Sequence, residues 1–338
     1  MRAKTIFICL TICFFAVYVH FKNQSQHGRR TIPQTCYTDL YRNLSICNFV
    51  CPNGTFALPG MKSCRRWLKC GAKITLMSTI SRSVVKTVYL AKWEDYEVVL
   101  SVLSGKEYEE DFKQNLFMIK SLNGQYTVQL IGFCKYNILT RYYAFGNALN
   151  VNSHLRSSLR LYDNVKLRLD LCISYVSVIN FLHTSPVGVR VMCDSNSLEK
   201  TLSQFLLTDD LKIVVNDLDA TPEVNESQKG IVCGNRALWN SFVAPEQLWP
   251  YGDETYDPKK MPLYNEKTDI WKIPDVCNWF LGGSSEADIL KYKLFNFHKS
   301  CKNRDPSQRP SAKLILKMYE KLRNDLIETK PSSTVTLL

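Results

Sequence analysis

The arrangement of apolar and polar residues divides the chain at about residue 70. Before that point an almost unbroken apolar stretch, Thr5 to Phe21, is followed by a cysteine-rich stretch without regular periodicity. After it, strand-like patterns begin three times in succession, at Ile74, Lys86 and Glu97. Helical spacing of apolar residues then predicts a helix over 108–122, and two further strands are predicted over 127–134 and 137–143.

The second half of the chain has mostly helical patterns. The clearest helix extends from Leu167 to His183, where apolar residues recur on one face. Helical patterns resume at Lys267 and continue to about Leu326. Strands followed by helices in this order are typical of the α+β class.

Length and composition indicate a globular protein. The chain has 338 residues, of which 45% are hydrophobic and 22% charged, and it is long enough for one large core or two lobes. Its formal charge of +12 would suit a nucleotide, an anionic membrane surface or an acidic glycan equally well. We expect no nucleic-acid partner, because no basic run is interleaved with aromatic residues.

The apolar stretch near the N-terminus predicts a membrane anchor. Residues 5–21 reach the lower limit for a helix that spans a bilayer. A cleaved signal peptide is the alternative, but the bulky residues Tyr18, His20 and Phe21 offer no small-residue cleavage site. We therefore expect a short cytoplasmic tail over 1–4, an uncleaved transmembrane signal-anchor over 5–21 and a lumenal remainder.

Two further features indicate a lumenal, oxidising compartment. Acceptor sequons for N-glycosylation begin at Asn43, Asn53 and Asn225. Residues 22–70, interpreted as a lumenal stem without a core of its own, contain five cysteines: Cys36, Cys47, Cys51, Cys64 and Cys70. No histidine lies among them and their spacing does not fit zinc, so disulfides are expected. Their odd number requires either a partner further along the chain or a free thiol.

Three short motifs occur in the order, and nearly at the spacing, of the catalytic loop, the metal loop and the end of the activation segment of protein kinases. They are Val191-Met-Cys-Asp194, Asn216-Asp-Leu-Asp219 and Val243-Ala-Pro-Glu246. Two later residues fit the same pattern: Asp269, in a predicted helix, and Arg309, which we expect to pair with Glu246. We therefore predict a bilobal protein-kinase-like domain over 71–326, with a small β-rich N-lobe, a larger helical C-lobe and a flexible tail over 327–338.

The resemblance to kinases assigns roles within these motifs. Asp194 takes the position of the base that accepts the proton of the acceptor hydroxyl, and a capping aspartate in a turn is the structural alternative. Asp217 takes the position of the metal ligand, with Mg2+ or Mn2+ as the expected cation. Residues 195–201 resemble an insertion, after which Gln204 stands where kinases have a second metal-binding residue, with Asn196 as the competing candidate. Asp219 replaces the usual glycine of the metal loop and is expected to face solvent.

The ATP-binding half of the pattern departs from that of kinases. The usual strand lysine is replaced by Ser101 and its partner glutamate by Asn115. The three glycine positions of the phosphate loop hold Ser81, Ser83 and Lys86. Lys86 resembles the relocated lysine of the with-no-lysine kinases and is the predicted nucleotide-binding residue, because one ammonium contact can supply the missing charge. A solvated loop lysine is the alternative.

Over about residues 64–325, the motifs resemble those of the protein O-mannose kinase family. The resemblance is carried by Val191-Met-Cys-Asp-Ser-Asn196, Phe242-Val-Ala-Pro-Glu-Gln-Leu-Trp-Pro-Tyr-Gly252 and Asp269-Ile-Trp-Lys-Ile-Pro-Asp-Val276. It implies a type II membrane protein of the endoplasmic reticulum that uses ATP to phosphorylate the 6-hydroxyl of an O-linked mannose, within a trisaccharide on alpha-dystroglycan. Two alternatives stay open: a catalytically inactive lumenal scaffold, favoured by Ser101 and Asn115, and a lumenal serine/threonine kinase.

Overall fold

The structure is a computed structural model that describes residues 34–39, 44–224, 227 and 230–328. The predicted anchor over 5–21, the sequons at Asn43 and Asn225 and the chain beyond residue 328 lie outside these residues. Within them, no helix is both long enough and apolar enough to cross a membrane. Asn53, the predicted glycosylation site that is described, is exposed.

The segment predicted to be a stem packs against the lobe that follows it. β1 (Gln34–Asp39) and β2 (Leu44–Phe49) form a hairpin closed by the Cys36–Cys47 disulfide. β3 (Thr55–Phe56) and β4 (Arg65–Arg66) form a second small pair, next to the Cys51–Cys64 disulfide. Four apolar residues of this segment are buried against the N-lobe sheet: Phe56, Ala57, Leu58 and Met61. The segment thus shares its core with the N-lobe, and the packing does not break at residue 70.

A five-stranded antiparallel sheet forms the N-lobe and includes the three strands predicted in succession. Its strands are β5 (Thr75–Arg82), β6 (Lys86–Trp93), β7 (Tyr96–Leu103), β8 (Leu130–Cys134) and β9 (Asn137–Arg141). Their order across the sheet is β5-β6-β7-β9-β8. The predicted helix, α1 (Glu109–Ser121), lies between β7 and β8 in the chain and buries Phe112, Met118 and Ile119. Cys70 pairs with Cys134 of β8, which confirms that the odd cysteine of the cluster has a partner further along the chain.

The C-lobe is mainly helical and is built around one long buried helix. Its elements are α2 (Val151–Arg156), α3 (Val165–His183), α4 (Leu198–Ser203), β10 (Phe205–Leu207), β11 (Ile213–Val215), α5 (Lys267–Leu281), α6 (Ser285–Cys301) and α7 (Ala312–Glu328). Asn164 caps α3, where its side chain accepts a hydrogen bond from the Leu167 amide. α3 packs against both α5 and α7, so its apolar residues form the centre of the core. The predicted bilobal α+β fold is confirmed, and α7 reaches Glu328, past the boundary predicted at 326.

Candidate active site

A buried aspartate of α5, Asp269, supports the backbone of the catalytic loop. Asp269 is 1% exposed, and its Oδ2 atom accepts a hydrogen bond from the Met192 amide at 3.1 Å. The Nε2 atom of His183 lies 3.2 Å from the same oxygen. These contacts fix the backbone just before Asp194, and they place Asp269 where the kinase pattern predicts it.

A buried lysine, which the motifs did not predict, adds to this support. Lys272 of α5 is 1% exposed; its Nζ atom donates a hydrogen bond to Ser195 Oγ at 2.6 Å and lies 3.7 Å from Asp269 Oδ1. Burial lowers the pKa of Lys272. A polar group this deeply buried is costly without partners, and Asp269 and Ser195 provide them. Ser195 directly follows the predicted base Asp194. Lys272 therefore fixes the catalytic loop after the base, whereas Asp269 fixes it before the base.

Asp194, the predicted base, makes its contacts through one carboxylate oxygen. Gln204 Nε2 donates a hydrogen bond to Asp194 Oδ2 at 3.3 Å, and Lys200 Nζ lies 2.7 Å from the same oxygen. The Asp194 side chain is 36% exposed, so it is accessible from the cleft. In the described part of the chain no hydrogen bond is made to Oδ1. That oxygen is therefore available to accept a proton from a hydroxyl group.

A short hairpin brings the two predicted metal ligands together. β10 and β11 pair in antiparallel fashion, with Gln204 just before β10 and Asp217 shortly after β11. The Gln204 carbonyl accepts hydrogen bonds from the amides of Asn216 at 2.9 Å and Asp217 at 3.4 Å. Gln204 thus contacts both the base and the metal loop. The backbone carbonyl of the competing candidate, Asn196, accepts a hydrogen bond from Asn240 Nδ2 of the activation segment at 2.8 Å.

Lys86 lies inside the cleft. Its Nζ atom is 2.6 Å from Asp217 Oδ1 and 3.9 Å from Asp219 Oδ2. The side chain is 12% exposed, so the alternative of a solvated loop lysine is wrong. Lys86 is the first residue of β6, and the turn before it is closed by Ser83, whose Oγ atom accepts a hydrogen bond from the Lys86 amide at 3.1 Å. The N-lobe therefore places a positive charge beside the two carboxylates of the metal loop.

The expectation that Asp219 faces solvent is wrong. Its side chain is 15% exposed and turns toward Lys86, because the ammonium offers a counter-charge there. Burial, together with the neighbouring Asp217 carboxylate, raises the pKa of Asp219 to about 7. The metal loop therefore brings two carboxylates to one lysine.

Neutral residues fill the positions that kinases give to the lysine–glutamate pair. Ser101 lies on β7, opposite Val88 of β6. Asn115 of α1 is 3% exposed, and its Oδ1 atom accepts a hydrogen bond from the Leu218 amide at 3.1 Å. α1 therefore contacts the metal loop directly, whereas kinases use a glutamate at this point to orient the strand lysine. Ser81 and Ser83, at the first two glycine positions, are exposed.

The predicted pairing of Arg309 with Glu246 is confirmed. The Nη1 and Nη2 atoms of Arg309 donate hydrogen bonds to the two carboxylate oxygens of Glu246, at 2.6 and 2.8 Å. Arg309 is 2% exposed, and it also donates to the Lys267 carbonyl at 2.9 Å. A bidentate contact of this kind fixes both distance and orientation. It ties the end of the activation segment to the start of α5.

A disulfide beside the base is a further feature that the motifs did not predict. Cys193, at a position where kinases have arginine, is bonded to Cys233 in the activation segment. The backbone next to it is also paired, because the Cys193 amide donates a hydrogen bond to the Ala220 carbonyl at 3.0 Å. The replacement of arginine by cysteine, in a chain with 13 cysteines, is the signal that could have revealed it.

The donor set of the cleft suits a hard cation bound together with phosphate. Asp217, Asp219 and Gln204 offer oxygen atoms, and both carboxylates already approach the ammonium of Lys86. Across the residues that the structure describes, no three histidine, cysteine, aspartate or glutamate side chains are grouped so that they could hold a metal ion. Mg2+ fits such a site, since it is usually bound by one or two carboxylates and takes other ligands from phosphate and water.

Several known proteins with the same name are similar to this chain. It is 46% identical over 286 residues to the protein O-mannose kinase of Gallus gallus. The aligned residues cover 82% of this chain and 81% of that relative. It is 44% identical over 298 residues to the protein O-mannose kinase of Homo sapiens, with 85% of each chain covered. For the protein O-mannose kinase of Xenopus laevis the identity is 41% over 282 residues, which cover 81% of this chain and 80% of the relative. No family model matches the chain.

Proposed function

The chain belongs to the protein O-mannose kinase family, and on that basis we propose that it transfers the γ-phosphoryl group of ATP to an O-linked mannose. The observation that carries the proposal is the cleft, where a base, two candidate metal ligands and the partly buried Lys86 form one connected set of contacts. Phosphoryl transfer depends on positioning and electrostatic stabilisation more than on covalent chemistry, so these groups are what it needs.

Each residue of the set has a defined task in the transfer. Asp194 accepts the proton of the mannose hydroxyl through Oδ1, while Gln204 holds Oδ2. Asp217 and Gln204 would hold Mg2+ or Mn2+, which when bound neutralises the charge on the phosphate oxygens. Lys86 binds the phosphates from the N-lobe side, next to Asp217. Asn115 keeps the metal loop in place through the Leu218 amide.

The acceptor in this proposal is the 6-hydroxyl of an O-linked mannose in a trisaccharide on alpha-dystroglycan. The resemblance of the motifs supports this choice, and family membership supports a mannose acceptor. A primary hydroxyl extends away from the sugar ring, and this suits a base that is accessible from the cleft, as Asp194 is.

The cellular location is part of the same proposal, which places the catalytic domain in the lumen of the endoplasmic reticulum. The four disulfides of the described residues support an oxidising compartment. The apolar stretch 5–21 supports a type II anchor. Endoglycosidase treatment should increase the gel mobility of the protein, and carbonate washing should leave it in the membrane. A soluble, unglycosylated protein would contradict the proposed location.

Support for the two alternative functions is weaker. A scaffold requires neither a lysine paired with the metal loop nor a hydrogen-bonded base, yet Lys86 contacts Asp217 and Asp194 contacts Gln204. A serine/threonine kinase would act on peptide, whereas the three relatives compared above are named for mannose.

Full-length protein with labelled ATP tests these functions against one another. The acceptors are the O-mannosyl trisaccharide on a peptide, the same glycan with 6-deoxymannose, and an unglycosylated serine/threonine peptide, each with Mg2+ or Mn2+. We expect label on the first acceptor alone. Label on the unglycosylated peptide would indicate a protein kinase, and ATP binding without transfer to any acceptor would indicate a scaffold.

A further inference from the structure

Lys200 is a positive charge beside the base that has no role in the kinase motifs. It lies on α4, within the segment over 195–201 that resembles an insertion. Its Nζ atom is 2.7 Å from Asp194 Oδ2, the oxygen that also accepts a hydrogen bond from Gln204. The insertion therefore brings a lysine to the acceptor side of the cleft.

The backbone of Lys200 is fixed relative to the base. Ser197 caps α4, where its Oγ atom accepts a hydrogen bond from the Lys200 amide at 3.1 Å. The Lys200 carbonyl accepts hydrogen bonds from Ser203 Oγ at 2.7 Å and from Gln204 Nε2 at 3.3 Å. The Gln204 amide thus connects the backbone of Lys200 with the carboxylate of Asp194. Only the flexible part of the lysine side chain is free to move.

The contact between Lys200 and Asp194 is not needed to hold the fold. The two side chains are 45% and 36% exposed, and ion pairs with such exposure contribute about 0–1 kcal/mol to stability. α4 is held by the Ser197 cap and by the buried residues Thr201 and Leu202. The ammonium can therefore move from Asp194 to a substrate at little cost to the protein.

Phosphoryl transfer calls for a cation at this point. Negative charge spreads over the oxygens of the phosphoryl group during transfer, and a positive charge positioned beside them lowers the barrier. Lys86 is paired with Asp217 and Asp219 on the nucleotide side. Cys193, where kinases have arginine, is held in a disulfide and carries no charge.

We propose that Lys200 is a catalytic residue that binds the transferring phosphoryl group, an inference that rests on the proposed kinase function. The acceptor oxygen forms a bond to the γ-phosphorus as the bond from that phosphorus to the β–γ bridging oxygen breaks, and ADP leaves with the electron pair. The hydroxyl proton passes to Asp194. The Lys200 ammonium donates a hydrogen bond to a non-bridging oxygen of the phosphoryl group and transfers no proton.

Three full-length variants test the role: Lys200→Met, Lys200→Arg and the neighbouring control Glu199→Gln. We expect Lys200→Met to lower kcat by about 10²–10³-fold, the loss typical of removing one transition-state donor, with the KM for ATP and the thermal midpoint unchanged. Lys200→Arg should retain more activity than Lys200→Met because it keeps the charge. Glu199→Gln should match the wild type. Near-normal kcat in Lys200→Met, or unfolding of that variant at the assay temperature, would overturn the proposal.

The slow transfer of phosphate from ATP to water separates this inference from the identity of the acceptor. Lys200 acts on the phosphoryl group, so Lys200→Met should lower ATP hydrolysis as well as transfer to the glycan. If the wild type hydrolyses ATP but does not phosphorylate mannose, the proposed acceptor is wrong while the role of Lys200 is still measured. A Lys200→Met variant that hydrolyses ATP at the wild-type rate would exclude the phosphoryl contact.

Discussion

The two faces of the catalytic cleft differ in how far they depart from the protein kinase pattern. On the C-lobe face, Asp269 supports the catalytic loop and Arg309 holds Glu246, as the motifs predict. On the N-lobe face, the strand lysine is replaced by Ser101 and the helix glutamate by Asn115. The supporting contacts of Asp269 and of Arg309 with Glu246, the frame of the site, are therefore retained. The positions that bind the nucleotide in kinases hold different residues.

This difference shows which parts of the chemistry depend on one position and which do not. A positive charge near the phosphates can come from either of two neighbouring strands, and in the proposed mechanism it comes from Lys86 of β6 instead of a lysine on β7. The glutamate that would orient a lysine on β7 is then unnecessary, and Asn115 uses a neutral hydrogen bond to hold the metal loop. A base must lie within hydrogen-bond distance of the acceptor hydroxyl, so fewer positions in the fold can supply it.

The strongest test of the comparison removes the acids of the C-lobe face. Asp194→Asn should lower kcat by about 10²–10⁴-fold and leave ATP binding nearly unchanged, because the base acts on the acceptor. Asp217→Ala should weaken both transfer and ATP binding. Steady-state kinetics and nucleotide titration measure the two effects separately. Asp95→Asn, at a side chain that is 99% exposed, is the control and should be silent.

The second test concerns the relocated charge of the N-lobe face. Lys86→Ala should lower transfer by about 10²-fold or more and weaken ATP binding, since it removes the charge beside Asp217. Lys86→Ala/Ser101→Lys should recover little, because Asn115 offers no carboxylate to orient a lysine at 101. Lys92→Ala, further along the same strand and about half exposed, is the matched control. Strong recovery in the double variant would show that the two strand positions are interchangeable.

A third test asks whether the frame contributes to stability rather than to chemistry. Arg309→Met leaves the Glu246 carboxylate without its partner, and breaking a buried pair in this way costs about 3–5 kcal/mol in the free energy of unfolding. Urea unfolding measures this loss, with the exposed Arg304→Met as control. We expect folded Arg309→Met protein to bind ATP with nearly normal affinity. A loss of ATP binding without a loss of stability would contradict the separation of the two faces.

The smallest expected effect is a pH dependence that arises from Asp219 of the metal loop, where the C-lobe meets Lys86 of the N-lobe. The pKa of Asp219 is raised from 3.8 to about 7, so between these values the folded state binds more protons than the unfolded state. The free energy of unfolding of the nucleotide-free protein should therefore fall as the pH rises from 4 to 7. Asp219→Asn should remove this fall, so that the variant is more stable relative to the wild type at pH 8 than at pH 4. Urea unfolding at several pH values measures it, and identical pH profiles would exclude Asp219 as the source.

Sequence patterns predicted the parts of the protein that depend on local order. The strands near Ile74, Lys86 and Glu97 and the helix ending at His183 follow from periodicity, and they form close to the predicted bounds. The pairing of Arg309 with Glu246 follows from motif order. Bounds were less accurate where pairing is irregular, as at 127–134, where Thr127 bridges to Val215 and β8 begins only at Leu130.

Contacts between residues far apart in the chain could not be predicted in this way. Lys272 and Ser195 are 77 positions apart, and nothing in either local sequence indicates that they meet. The inward turn of Asp219 depends on Lys86, which comes from the other lobe. Lys200 reaches Asp194 only because an inserted segment folds as a capped helix. Each of these features is set by tertiary packing, which the local pattern does not contain.

The Cys193–Cys233 disulfide makes the C-lobe half of the active site a closed ring of chain. The two cysteines are 40 positions apart, and every C-lobe residue assigned here to phosphate chemistry lies between them: Asp194, Lys200, Gln204, Asp217 and Asp219. A ring of this length restricts the unfolded chain enough to favour folding by about 4 kcal/mol on the chain-entropy estimate. A single backbone cut inside the ring would leave both fragments covalently joined. Lys86 and Asn115 come from outside the ring, so the N-lobe completes a site whose C-lobe residues stay joined by a covalent ring.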